Sequence, residues 1–126
     1  MNALAYAVLL TGCFGSDAPD LHELTCTPAS LRASGPAPYV VSCDVTFDGS
    51  PGDVRWSAYG SDAMYWVRDI GSISNSARDF GEYQFSMKSA QPPPLGRLLI
   101  QLDADHVDGI DGPAGDTITT EIQVVP

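Results

Sequence analysis

Residues 39 to 48 alternate between two kinds of side chain, and no other feature constrains the fold of this chain as much. Four of the five even positions are polar, whereas every odd position is apolar: Tyr39, Val41, Cys43, Val45 and Phe47. A period of two is typical of a β-strand with one buried face. After a turn-rich segment, Trp56 lies in a second alternating run between Val54 and Ala58. The pattern therefore predicts a buried cysteine and a buried tryptophan on consecutive strands.

Alternating segments before and after this pair predict further strands. Leu24 and Cys26 share one face of a first strand, residues 31 to 33 offer a short edge strand, and residues 83 to 88 form a later strand. Two strands near the end of the chain are predicted to carry core faces made of Leu98, Ile100, Leu102 and Ala104, and of Ile118, Ile122 and Val124. The residues between these segments are rich in Gly, Pro, Asp and Ser, which favour turns.

Residues 64 to 70 follow the turn at residues 60 to 62 and are expected to form a hairpin with the strand of Trp56. Their alternation predicts that Met64, Trp66 and Ile70 face the core. Tyr65 and Asp69 are then expected on the opposite, outward side.

A cysteine strand followed by a tryptophan strand resembles strands B and C of an immunoglobulin-like sandwich. The resemblance implies an all-β fold, a single Ig-like antiparallel β-sandwich of seven or eight strands, similar to bacterial Ig-like and fibronectin-III-like modules. Residues 83 to 88 would correspond to strand E, and the last two strands to F and G. The chain departs from antibody domains in one respect, because no cysteine follows Cys43 to form their bridge between strands B and F.

The size and charge of the chain indicate a single domain and argue against binding to nucleic acids. The 126 residues suffice for one domain. Six basic and sixteen acidic side chains give a formal net charge of -10, which repels the phosphates of nucleic acids and anionic lipid headgroups. No stretch of the sequence approaches the roughly 18 to 20 apolar residues of a membrane span. We therefore expect no nucleic acid partner and no membrane-spanning segment.

The first thirteen residues are uncharged and mostly apolar, and they end in Leu10-Thr11-Gly12-Cys13. This segment resembles the signal and lipobox of a bacterial lipoprotein. The resemblance implies that residues 1 to 12 are a signal peptide, that Cys13 carries the lipid, and that residues 13 to 22 are a tether before an Ig-like domain at residues 23 to 126. The alternative is a buried first strand or helix with a free cysteine.

The lipoprotein resemblance also implies a location. The protein would be lipid-anchored in the bacterial cell envelope, with acyl chains as its sole contact with the bilayer. Phe14 follows the cysteine, whereas an Asp at that place resembles an inner-membrane retention signal in enterobacterial lipoproteins. The outer membrane is therefore favoured over the inner membrane.

Export would decide the state of the two remaining cysteines, Cys26 and Cys43. In an exported protein, an even pair on apolar faces is expected to form a disulfide. That bond would tie the strand of Cys43 to the first strand of the domain. If the chain is not exported, two buried reduced thiols are the alternative.

Two surface features are candidate binding sites. Tyr59 and Tyr65 are predicted on the outward side with Val67, and exposed tyrosines are common contact residues in recognition surfaces. Packing against a neighbouring loop or strand edge is the alternative. His106 lies in the long segment that joins the last two strands, and it is interpreted as an exposed loop histidine that could contribute to a binding surface.

Five aspartates fall within fourteen residues in this segment and just before it: Asp103, Asp105, Asp108, Asp111 and Asp116. Calcium binds six to eight oxygen atoms, which carboxylates, carbonyls and water supply. A calcium site is therefore one interpretation, although the spacing does not match an EF-hand. A solvated acidic loop with Asp-Gly turns is the other.

These observations favour a non-enzymatic binding or structural module that contacts an envelope or surface protein or a glycan. The first alternative is a calcium-dependent adhesion module that uses residues 103 to 116. The second is a small envelope hydrolase in which His106 and a neighbouring aspartate act as a base with an orienting carboxylate. No other catalytic motif accompanies His106, so we predict no enzymatic activity and no required cofactor.

Overall fold

The structure, a computed structural model, describes residues 18 to 73, 81 to 106 and 115 to 126. These residues form eight strands and no helix. The strands are β1 (Asp20–Thr27), β2 (Ser30–Arg32), β3 (Tyr39–Asp48), β4 (Pro51–Tyr59), β5 (Tyr65–Ser72), β6 (Gly81–Ser89), β7 (Gly96–His106) and β8 (Asp116–Val125). The prediction of an all-β fold with seven or eight strands is confirmed.

The strands form two sheets that curl toward each other as a half-barrel. The first sheet has three strands in the order β1-β3-β6, and the second has five in the order β2-β8-β7-β4-β5. All pairs are antiparallel except β2 with β8, which run parallel. The chain crosses from one sheet to the other between β3 and β4, so these consecutive strands face each other across the core.

The alternation in β3 and β4 translates directly into burial. Every odd residue from Tyr39 to Phe47 is buried, and so are Val54, Trp56 and Ala58. The indole ring of Trp56 stacks on the ring of Phe85 from β6, with ring centroids 4.8 Å apart. This contact joins the two sheets at the centre of the core, because β4 and β6 belong to different sheets.

The disulfide predicted between Cys26 and Cys43 is present. The two residues lie directly opposite each other in the β1–β3 pair. The bond therefore ties the first strand of the domain to its central neighbour, and it closes a segment with a sequence separation of 17.

β7 and β8 confirm most of the predicted core positions. Leu98, Ile100, Leu102 and Ala104 are buried, as are Ile122 and Val124, while Ile118 is partly buried against the core. Residues 92 to 94, three consecutive prolines, lie between β6 and β7 outside any strand. This agrees with the missing backbone donors of proline.

The predicted core face of β5 is confirmed for Trp66, which packs partly against the core, and is wrong for the other two residues. Met64 and Ile70 are 67% and 73% exposed, and Val67, predicted to face outward, packs partly against the core. Tyr59 pairs with Tyr65, but the preceding residue of β4 pairs with Val67, so β5 has one extra residue at Trp66. A bulge of one residue moves all later side chains to the other face, which inverts the predicted phase.

The first strand begins earlier than the predicted domain. β1 starts at Asp20, so Asp20, Leu21 and His22, which the sequence assigned to the tether, belong to the first sheet. Leu21 is buried and its backbone N–H donates a hydrogen bond of 2.8 Å to Oδ2 of Asp116, across the gap between the two sheets. The lipobox residues, including Cys13, lie outside the described residues. Within the described residues, no helix is long and apolar enough to cross a membrane.

Candidate functional site

A groove runs along the outer face of the five-stranded sheet, where β4 lies between β5 and β7. We call it the outer-face groove. Residues directly opposite each other on antiparallel strands point to the same side, so the odd positions of β4 share this face with their partners on both neighbours. The groove has a volume of about 490 Å³, and its lining includes Arg55, Ser57, Tyr65, Arg68, Gln101 and Asp103.

Polar side chains from three strands are connected by hydrogen bonds along this face. The Tyr59 hydroxyl donates to Oε1 of Gln101 at 3.1 Å. The Gln101 amide donates to both carboxylate oxygens of Asp103, at 3.2 and 3.3 Å. The Thr117 hydroxyl also donates to Asp103, at 2.7 Å. The chain of bonds holds these side chains in one orientation, which lowers the entropic cost of binding a ligand.

Aromatic rings form one end of the face. The rings of Tyr59 and Tyr65 meet edge to face with centroids 5.8 Å apart. The Arg68 guanidinium lies over the Tyr65 ring, 4.5 Å from its centroid. Tyr65 is 56% exposed, so its ring keeps a large free surface beside the cation. The predicted tyrosine pair is therefore brought together by the structure, and Arg68 joins it.

An ion pair forms the other end. Arg55 and Asp105 make two hydrogen bonds, of 2.9 and 3.0 Å, in the bidentate arrangement that suits a guanidinium and a carboxylate. The hydrogen bond from Arg55 lowers the pKa of Asp105, and the same bond raises the pKa of Arg55. Both side chains remain about half exposed, so the pair orients groups on the face and adds little to stability.

Tyr83 packs beneath the same strands, on their inner side. Burial is the main reason that its pKa is raised, and the charge of Asp69 on β5 raises it further. A Cβ atom at Gly71 would lie 2.8 Å from the Tyr83 hydroxyl and 2.9 Å from the Trp56 ring. The absence of a side chain at Gly71 therefore lets β5 lie close to these two rings.

The described aspartates of the predicted calcium site do not all lie on one face of the sheet. Asp103 and Asp105 point to the outer face, where they bond to other protein groups. Asp116 lies opposite the buried Ala104 and bonds to the backbone of β1, so it lies on the inner side of the sheet. The prediction that Asp116 shares a cation with Asp103 and Asp105 is therefore wrong, because β-strand geometry separates their side chains. Asp108 and Asp111 lie outside the described residues.

His106 is not the exposed loop histidine that the sequence suggested. It is the last residue of β7, pairs with Pro51, and is only 3% exposed. Its burial removes it from any binding surface with Tyr59, which lies at the opposite end of β4. The hydrolase interpretation loses its proposed base for the same reason, because a solvent-borne substrate does not reach it in this conformation.

Sequence reasoning missed most of the groove. Arg68 and Gln101 are polar residues on strands whose sequence neighbours show no motif, and Asp103 was singled out as a calcium ligand and not as a groove residue. The pairing register with Arg55 and Ser57 would have revealed them, because partners on adjacent strands share a face.

Sequence reasoning also missed a second cluster, at the start of the three-stranded sheet. One ligand atom from each of Asp20, His22 and Asp48 lies within 4.8 Å of the others. His22 Nε2 is 3.1 Å from Oδ2 of Asp48. The signal was hidden because His22 was placed in the tether, so its strand partners were not considered.

Comparisons with known proteins describe the fold only. No family model matches the chain, and no curated protein sequence matches it. Among solved structures, it resembles part of the alkylpurine DNA glycosylase AlkC from Pseudomonas fluorescens, which is bound to DNA containing an abasic site analog. The TM-score is 0.54 at 12% identity, over 87% of this chain and 31% of the glycosylase. This chain thus spans less than a third of that protein.

Two further solved structures match over nearly their whole length but with lower scores. The first is the putative ApaA protein from Bordetella pertussis, with a TM-score of 0.45 and 16% identity over 89% of this chain and 98% of that chain. The second is a Niemann-Pick type C2 protein from the Japanese carpenter ant. The latter has a TM-score of 0.44 and 12% identity over 88% of this chain and 96% of that chain.

Proposed function

We propose that this protein is a lipid-anchored, non-enzymatic binding module of a bacterial envelope, built on an Ig-like sandwich, that recognises a surface protein or glycan through its outer-face groove. The observation that carries the proposal is the groove itself. It combines an exposed aromatic ring, a guanidinium and a hydrogen-bonded row of polar side chains on rigid strands. Such a combination of apolar and oriented polar groups is typical of ligand sites.

Strand order supports the Ig-like assignment. If β1, β3 and β6 correspond to strands A, B and E, the first sheet matches one Ig sheet in order. The second sheet then corresponds to a short A segment followed by G, F, C and C′. This is the order of the variable-type sheet, with an A segment at one edge and, in the described residues, no strand C″ at the other. The buried Trp56 occupies strand C in this correspondence, as the resemblance implied.

The envelope location is supported by two independent features. The lipobox-like segment ends at Cys13, and the bond between Cys26 and Cys43 suits an oxidising compartment. The acyl chains on Cys13 should then attach the protein to the host membrane. Replacing Cys13 with Ser should release it from the membrane fraction, whereas Cys26→Ser should not.

The partner is an envelope or surface molecule and not a nucleic acid. The similar glycosylase structure is bound to DNA, but the net charge of -10 opposes any approach of this chain to phosphates. The groove volume lies within the range of about 300 to 1,000 Å³ found for small-ligand sites, so a few sugar rings or one peptide segment would fill it.

Site-specific photo-crosslinking in the host tests this proposal. A photoreactive residue at position 70, an exposed position that lines the groove, should form adducts with a discrete partner, and protease treatment should separate a protein partner from a glycan. The matched control places the same residue at position 88 on β6, an exposed site on the opposite sheet. Tyr65→Ala should reduce the adduct at position 70. Equal crosslinking at both positions, or no effect of Tyr65→Ala, would contradict the proposal.

A further inference from the structure

We infer that Asp20, His22 and Asp48 form a binding site for a divalent transition-metal cation, with Zn²⁺ as the representative ion. This inference is independent of the proposed function, because the site lies on the other sheet from the outer-face groove. Two carboxylates and one imidazole are ligands that zinc accepts in proteins. The imidazole distinguishes this cluster from an ordinary acidic patch, because imidazole favours zinc, copper and nickel over calcium and magnesium.

The backbone brings these three residues together. Asp20 and Asp48 lie directly opposite each other in the β1–β3 pair. A register shift between Leu21 and Glu23 leaves His22 as an extra residue without a partner on β3. The burial pattern shows the consequence, because Leu21 and Leu24 point inward while both residues between them are exposed. The bulge therefore adds one outward side chain to the strand, and that side chain is the histidine.

The local charges favour a bound cation. Asp20 and Asp48 are like charges at directly opposed positions, an arrangement that is unfavourable without compensation. The three strands of this sheet contain one lysine or arginine, Lys88, which pairs with Val40 near the opposite end. His22 is therefore the one side chain of these strands beside the two carboxylates that can carry a positive charge, and it does so when protonated. Further acidic side chains lie along the same outer face at Glu23 and Glu82. No lysine or arginine of these strands thus lies close enough to neutralise the pair.

The distances suit a metal after small side-chain rotations. A tetrahedral zinc site with ligand bonds of about 2.0–2.1 Å places its ligand atoms about 3.3 Å apart. His22 Nε2 and Asp48 Oδ2 are already 3.1 Å apart, and the third ligand atom lies within 4.8 Å of both. The side chains of His22 and Asp48 are 41% and 42% exposed, so they can adjust, and the remaining coordination position opens to solvent.

A bound ion would connect the start of β1 to the end of β3. The start of β1 is also where Leu21 bonds to Asp116 of the other sheet. Because metal binding favours the state in which its ligands are assembled, saturation with Zn²⁺ should raise the melting temperature. We expect a rise on the order of 10 °C at a free concentration 100 times the Kd.

The test uses the full chain without an affinity tag, freed of metal with a chelator and titrated with Zn²⁺ alone. Calorimetry should show one ion per chain, and His22→Ala and Asp48→Asn should each weaken binding more than about 10-fold. The matched control is Asp44→Asn, which removes the same charge from the same face of β3 four residues away and should leave the affinity unchanged.

Three results would overturn the inference. The first is the absence of saturable binding of Zn²⁺. The second is an equal affinity in His22→Ala, which would mean that the acidic face attracts cations without a defined site. The third is a loss in Asp44→Asn as large as that in Asp48→Asn. Histidine ring signals in NMR spectra give an independent readout, because Zn²⁺ should shift the signals of His22 and leave those of the buried His106 in place.

Discussion

β5 and β7 flank β4 on its two sides, and they show how differently two alternating strands can be used. Trp56 of β4 pairs with Leu102 of β7 on the inner face, and Leu102 is fully buried. The neighbouring Arg55 pairs with Ile70 of β5 on the outer face, and Ile70 is 73% exposed. Both strands are apolar and alternating in sequence, but only β7 lies in the middle of its sheet.

The bulge at Trp66 turns Ile70 to the outer face, and the unequal width of the two sheets leaves the inward positions of β5 less buried than those of β7. A three-stranded sheet cannot cover all five strands opposite it, so the described residues leave most of the edge strand β5 exposed. Inward positions on β5 accordingly carry Asp69 and Gly71 in place of aliphatic residues. An edge strand freed from the core in this way can supply binding residues, and Tyr65 and Arg68 are both on β5.

The largest effect should come from a matched pair of truncations in these strands. Leu102→Ala should lower the free energy of unfolding by about 2–5 kcal/mol, because it leaves a cavity in the core. Ile70→Ala should change it by less than about 0.5 kcal/mol, because the side chain is already in solvent. Urea unfolding followed by tryptophan fluorescence measures both. Similar losses would mean that β5 is buried in solution, which contradicts the comparison.

Removal of the disulfide tests whether the difference in burial between β5 and β7 depends on the five-stranded sheet alone. Replacing both Cys26 and Cys43 with Ser should cost about 3 kcal/mol in the chain-entropy model, because the unfolded chain gains freedom. The bond lies in the three-stranded sheet, so the relative protection of β5 and β7 amides from hydrogen exchange should not change. A selective loss of protection in β5 would show that the stability of this edge strand depends on the three-stranded sheet.

Gly71→Ala tests a position where β5 packs closely against two aromatic side chains. The added methyl group would lie 2.8–2.9 Å from the hydroxyl of Tyr83 and the ring of Trp56, so β5 would have to shift. We expect a loss of about 1–3 kcal/mol, in the range of overpacked cores. Ser72→Ala is the control, since Ser72 is the exposed next residue on β5 and should be nearly neutral. The same urea curves give both values.

The Arg55–Asp105 pair on the outer face should have the smallest effect. Because the folded-state pKa of Asp105 is lowered, its contribution to stability is present above the unfolded pKa of about 3.9 and disappears as pH falls through the lower folded pKa. The contribution should be at most about 1 kcal/mol, since both side chains are about half exposed.

The measurement compares urea unfolding of the wild type and Asp105→Asn at pH 6 and at pH 2. At pH 6 the wild type should be slightly more stable than Asp105→Asn, and at pH 2 the two proteins should be equally stable. A difference that persists at pH 2 would mean that the effect of Asp105 does not depend on its charge.

Much of the candidate site could not be predicted from the sequence, because the groove depends on which residues pair between strands. The alternation of Tyr39 to Phe47 identified a buried strand because a two-residue period is local. Arg68 and Gln101 meet in one groove because both pair with Ser57, and these two pairings join residues 11 and 44 positions apart. The bulge at Trp66 then reversed the predicted faces of the later residues of β5.

The sequence by itself determined the all-β class and the core faces of β3, β4 and β7, because a two-residue period is a local property. It predicted the bond between Cys26 and Cys43 on the condition that the chain is exported. Only the tertiary structure decided which alternating strand lies at an edge, that His106 is buried, and that Asp20, His22 and Asp48 converge. These properties depend on sheet width, register and bulges, which are set by long-range pairing and which no short stretch of sequence encodes.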